Sequence, residues 1–186
     1  MNSKKKAFGI ALIILSLLIV LMIPLLPVKM NRIADLSALN NIDENIAIIY
    51  FGFPNCSDVC PTTLATLNEI YNDYLPQSSK EPLAVLFVNL IADATIESSK
   101  DYIDQFNKNF NVLSLSKKEM SKAKNIFGLT FSDVQEDGQL FHKGYTYLLK
   151  RTNKAWRIKY VYVQGDPERD QVYSDILALT NLYQSG

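Results

Sequence analysis

The chain has 186 residues, with 19 basic and 19 acidic side chains, two Cys and one His. That length suits one domain with an appendage rather than two full domains. The balanced charge argues against a nucleic-acid partner, which usually leaves a basic footprint.

The charges are unevenly placed. Lys4, Lys5 and Lys6 open the chain, and no acidic residue precedes Asp35. Residues 7–28 (AFGIALIILSLLIVLMIPLLPV) carry no charged side chain. A bilayer core needs about 20 apolar residues in helix, so this run is expected to be a single transmembrane anchor. Residues 1–6 then form a cytoplasmic tail by the positive-inside rule. The rest of the chain is expected on the extracytoplasmic side of the inner membrane. A cleaved signal peptide is the rival reading, but its apolar stretch would be shorter and followed by an A-x-A-like site. Either way, disulfides can persist in that compartment.

Residues 29–45 read as a polar connector, and residues 46–186 as the folded domain. Ile46–Phe53 (IAIIYFGF) and Leu83–Leu90 (LAVLFVNL) are continuous apolar runs of strand length, as expected of buried central strands. Between them, Pro61–Leu75 shows helical spacing at Leu64, Leu67, Ile70 and Tyr71. Strand, helix, strand implies a right-handed parallel crossover. Glu97–Phe110 is a second helix candidate, Val112–Leu115 a short strand, and Lys117–Phe127 a third helix closed by Gly128. Gln135–Gln139 reads as a turn. Tyr145–Lys150 and Trp156–Val163 alternate as two antiparallel strands. Asp166 is the expected N-cap of a last helix, with Pro167 at its first position and its end near Tyr183. The order β-α-β-α-β-α-β-β-α is an α/β plan of thioredoxin-like type: a central mixed sheet flanked by helices, with an insertion.

The chemistry gathers in Phe51–Thr63 (FGFPNCSDVCPTT), at the carboxyl end of the first buried strand, the edge that ligand sites favour in such sheets. Cys56 falls in a loop and Cys60 at or near a helix start, where the helix dipole favours thiolate. Three residues separate them, not the two of C-x-x-C oxidoreductases. The two sulfurs can form a disulfide or chelate a soft ion, which then needs a third ligand. His142 is the only histidine available. Two thiolates and an imidazole suit Cu(I), or Cu(II) if another donor completes the site; zinc fits the same donors but normally takes a fourth ligand.

FGFPNCSDVCPTTL resembles the Sco/SenC motif F-G-F-T-H-C-P-D-V-C-P-T-T-L, and FHKGYTYLL resembles that family's D-H-S-x-x-x-Y-L segment. The resemblance runs from about Ile46 to the end, plus the family's usual single anchor. It implies one copper ion per chain, held by Cys56, Cys60 and His142. It also implies a metallochaperone role in assembling the CuA centre of cytochrome c oxidase, with Cys56 and Cys60 as a redox-active pair. The implied partners are the oxidase subunit carrying CuA, other copper chaperones or thioredoxin-like reductants, and the membrane. The chain departs from the pattern at Phe141, where the family has Asp. It departs again at Asn89–Asp93, where the family has an acidic run. A membrane-anchored thiol–disulfide oxidoreductase that keeps client cysteines reduced is the alternative; it needs the two cysteines but not the histidine.

Overall fold

A computed structural model describes residues 3–22, 28–54, 56, 59–75, 81–132, 140, 142, 144–163, 165 and 167–181. The elements in chain order are α1 (Ser3–Met22), β1 (Val28–Ile33), a 3₁₀ turn (Ser37–Asn41), β2 (Ile46–Gly52), α2 (Val59–Tyr74), β3 (Leu83–Asn89), α3 (Ile96–Ile103), β4 (Asn111–Leu113), α4 (Lys117–Phe127), β5 (Thr146–Thr152), β6 (Ala155–Tyr162) and α5 (Arg169–Asn181). Six strands make one sheet in the order β1-β6-β5-β2-β3-β4.

β2 and β3 lie at the centre because their side chains are apolar on both faces: all seven residues of each are buried. They run parallel from Ile46↔Leu83 to Gly52↔Asn89, with α2 as the crossover. β5 pairs antiparallel with the other side of β2, and β6 folds back on β5. The β5–β6 turn places Asn153 and Lys154 at φ 51° and 64°, the left-handed pair that matches the twist of a two-residue hairpin. The mixed, thioredoxin-like sheet is as expected.

Three elements differ from expectation. The stretch read as a polar connector supplies edge strand β1, antiparallel to β6, and then buries Leu36, Leu39 and Ile42. A register shift between Lys29 and Arg32 breaks the two-residue alternation that would have marked the strand. The second helix stops at Ile103; the Asn107 side chain then accepts from the Asn109 N–H at 2.9 Å, a local turn that competes with helix. The last helix begins at Arg169, with Val172 N–H donating to Glu168 C=O at 3.0 Å. Its N-cap is therefore Glu168, not Asp166, and Pro167 lies before the helix rather than in its first turn. Asp166, the Gln135–Gln139 turn, Phe141 and Tyr183 lie outside the described residues.

Among the described residues, no helix is long and apolar enough to cross a membrane. The described side chains of α1 are Phe8 and those at 10–18, and its large apolar groups, from Phe8 at 68% to Leu18 at 55%, are exposed.

Candidate metal centre

β2 delivers the chain to the site. It ends at Gly52, Leu90 N–H donates to Gly52 C=O at 2.8 Å, and Phe53 packs into the core. The backbone then turns, with Cys56 N–H donating to Phe53 C=O at 3.1 Å. α2 begins at Val59, so Cys60 lies in its first turn beside Pro61, whose missing N–H costs nothing there. Cys56 is 9% exposed and Cys60 fully buried.

His142 reaches the same place from the segment ahead of β5. Its backbone bridges to Phe131, and its ring sits edge-on to Phe53 with centroids 5.8 Å apart. Nε2 lies 3.8 Å from Cys56 Sγ and 3.6 Å from Cys60 Sγ. The three donor atoms fall within 4.8 Å of one another. The structure thus brings together all three residues singled out in the sequence, from segments more than 80 residues apart.

The donor set fits a soft ion. Neither cysteine is in a disulfide, and the two sulfurs and an imidazole nitrogen lie close together. His142 Nδ1 is buried with no hydrogen-bond partner among the described residues, so Nε2 is the nitrogen presented to the sulfurs. Two sulfurs and an imidazole nitrogen at this spacing are donors that suit a soft ion such as copper.

The helix start was expected to lower the Cys60 thiol; its surroundings push it up instead. The neighbouring Cys56 is the largest cause and burial the next, while the Tyr50 hydroxyl and the Phe53 backbone pull toward thiolate. Two thiols this close cannot both ionise cheaply until a cation offsets them.

Sequence reasoning missed the packing beneath the sulfurs. A Cβ on Gly52 would lie 2.8 Å from Phe87 Cε2, 3.0 Å from Cys60 Sγ and 3.1 Å from Tyr50 Cε1, so only glycine leaves room for that sulfur. A Cβ on Gly144 would lie 2.5 Å from Val59 Cγ2, so the chain bearing His142 closes on the start of α2. The available signal was Tyr50 and Gly52 inside the first apolar run and Gly144 just before the Tyr145–Lys150 run. Asn89, a departure from the family pattern, is spent locally: its Nδ2 donates to Ser99 Oγ at 2.8 Å and its Oδ1 accepts from Ile91 N–H at 2.9 Å.

The comparisons with known proteins converge on one group. A SCO2-like protein of Rickettsia felis is 27% identical over 139 residues, covering 69% of this chain and 65% of that protein; the chain thus spans less than two thirds of this relative's length. The structure resembles apo Sco1 from Thermus thermophilus with a TM-score of 0.62 at 26% identity, covering 83% of this chain and 93% of that one. Copper-bound ScoI from Arabidopsis thaliana shares the fold with a TM-score of 0.62 at 20% identity, covering 74% of this chain and 88% of that one. The SCO1/SenC family model matches residues 36–180, taking in β2, both cysteines, the histidine and nearly all of α5, and so the chain belongs to the SCO1/SenC family.

Proposed function

We propose that this chain holds one copper ion through Cys56 Sγ, Cys60 Sγ and His142 Nε2, and serves assembly of the CuA centre of cytochrome c oxidase. The observation that carries the reading is the meeting of three soft donor atoms within 4.8 Å from two distant segments. Copper is the cargo here. Two thiolates supply charge and softness, and the imidazole completes a three-donor site that can hold the ion yet surrender it. Phe53, edge-on to the ring, holds His142 in place. The copper-bound Arabidopsis relative supports the choice of metal. The uncharged run 7–28 supports a single membrane anchor, with the domain outside the cytoplasm; retention of the full chain in membranes after carbonate extraction tests that part, and release into the supernatant sinks it.

Copper titration of the reduced full chain, read by sulfur-to-copper charge transfer, tests the metal site. One copper per chain is expected. His142→Ala should lower affinity by about 100-fold or more while leaving the circular dichroism unchanged; wild-type affinity in that variant overturns the assignment.

The nearness of the two thiols also favours a second reading, a thiol reductant that keeps client cysteines reduced. Complementation separates the two. A His142→Ala variant that restores full oxidase activity supports the reductant and counts against copper delivery.

A further inference from the structure

Tyr50 is wholly buried in the middle of the sheet; its hydroxyl makes no well-formed hydrogen bond among the described residues, although the Cys60 sulfur and the Thr63 side chain lie near it. A buried hydroxyl without a partner costs stability that phenylalanine would avoid, so its presence asks for a reason. Its surroundings supply one. The ring edge shares the Gly52 notch with Cys60 Sγ, and the hydroxyl end reaches toward Gly144, where a Cβ would lie 3.5 Å from it. Tyr50 therefore runs under the first turn of α2, from the Cys60 sulfur toward the segment that carries His142. A tyrosine hydroxyl is protonated at neutral pH and able to donate. A neutral thiol is a poor acceptor for it; a thiolate is a strong one.

We propose that Tyr50 is a positioning residue of the site, an unspent donor that hydrogen-bonds the Cys60 sulfur whenever that sulfur carries negative charge. This deepens the copper reading and rests on the same cysteine pair. Tyr102, whose hydroxyl is also without a partner among the described residues, is the lesser candidate. It lies on the far side of Phe87, with centroids 6.3 Å from Tyr50 to Phe87 and 6.1 Å from Phe87 to Tyr102.

The role has a consequence that needs no metal. In the oxidised protein, with Cys56 and Cys60 joined, a small thiolate such as glutathione attacks Cys56, the more exposed sulfur. The Cys56–Cys60 bond breaks, a mixed disulfide forms on Cys56, and the electron pair leaves on Cys60 as thiolate. A second glutathione then releases Cys56 as thiol and leaves glutathione disulfide. The first step is faster when the leaving thiolate is stabilised, which is what the Tyr50 hydroxyl supplies.

Tyr50→Phe keeps the ring and removes only the donor. Reduction of the metal-free disulfide by glutathione should slow about tenfold, and the sulfur-to-copper band of the loaded protein should shift. Fluorotyrosine at position 50, a stronger donor, should move the band in the opposite direction, a response that packing alone does not give. Tyr147→Phe, which loses a hydroxyl donating to Phe127 C=O at 2.7 Å away from the sulfurs, should change neither readout. If Tyr50→Phe leaves both the reduction rate and the band at wild-type values, the role is overturned. If wild type takes no copper but Tyr50→Phe still slows reduction, the copper reading falls and the positioning role stands.

Discussion

The two ends of the sheet treat buried polar groups differently. At the end away from the cysteines, several are paired. Lys150 pairs with Glu81, and both are largely buried. The Arg151 guanidinium donates to Ile42 C=O and lies over the Trp156 ring, 4.7 Å from its centroid. Trp156 Nε1–H donates to Leu39 C=O at 3.0 Å, and Tyr74 donates to Glu81 C=O at 2.5 Å. At the cysteine end, Tyr50 Oη, Thr146 Oγ1 and His142 Nδ1 are buried without partners among the described residues. Glycines there let sulfur and helix approach a backbone that any side chain would push away. The first set holds the fold. At the cysteine end Asn89 and Thr63 are satisfied, but Tyr50, Thr146 and His142 keep unspent polar atoms in tight spaces, which cost stability and are the usual mark of a site.

Removing one partner at the end away from the cysteines gives the largest expected loss of stability. Glu81→Gln takes the countercharge from Lys150, whose side chain is 10% exposed, and should destabilise the fold by about 3 kcal/mol in urea denaturation. Copper affinity and band position should stay at wild-type values, because the pair lies at the opposite end of β2 and β5 from the sulfurs. A copper defect without a stability loss would show that the two ends are not independent.

Gly144→Ala asks the converse at the cysteine end. The added methyl meets Val59 Cγ2 at the first residue of α2. Overpacking of this kind costs about 2 kcal/mol, and relief of the clash must part α2 from the segment carrying His142. Stability and copper affinity should therefore fall together, unlike in Glu81→Gln. Retained affinity in a destabilised Gly144→Ala would mean that the close approach serves packing alone.

These contrasts also show what could be read from the residues and what could not. β2 and β3 were legible because strands buried on both faces need unbroken apolar runs. α4 was legible at both ends: Gly128 sits at φ 65°, as a helix stop should, and the Ser116 side chain accepts from Glu119 N–H at the start. The Cys56, Cys60 and His142 set was legible because chemistry restricts which residue types can hold a soft ion, although the 3.6–3.8 Å meeting of His142 with the sulfurs needed the fold. β1 was hidden because its bulge breaks the alternation, and because the partner that makes it a strand, β6, lies more than 120 residues away. The segment after it was hidden for a similar reason. Leu36, Leu39 and Ile42 recur every third residue around a single short 3₁₀ turn, too short a pattern to stand out, and they are buried because Trp156 and α4 are there to cover them; Lys122 pairs with Asp35 at 2.7 Å, and Ser37 donates to Glu119. Tyr50 was hidden inside a strand run, where a tyrosine reads as packing until its hydroxyl is found without a partner.

Thr146 sharpens the comparison with the smallest effect. It faces Tyr50 across the β2–β5 ladder and is fully buried, and its Oγ1 has no partner among the described residues. Valine has the same shape without the hydroxyl and favours strand. If Thr146 only carries a desolvation cost, Thr146→Val should stabilise the fold by up to about 1 kcal/mol and leave the copper band in place. That outcome would separate it from Tyr50, whose hydroxyl is held to act on the sulfur. A loss of about 1 kcal/mol instead, measured by the same urea titration, would mean that Thr146 is hydrogen-bonded after all, and the contrast between the two ends would then rest on Tyr50 and His142 alone.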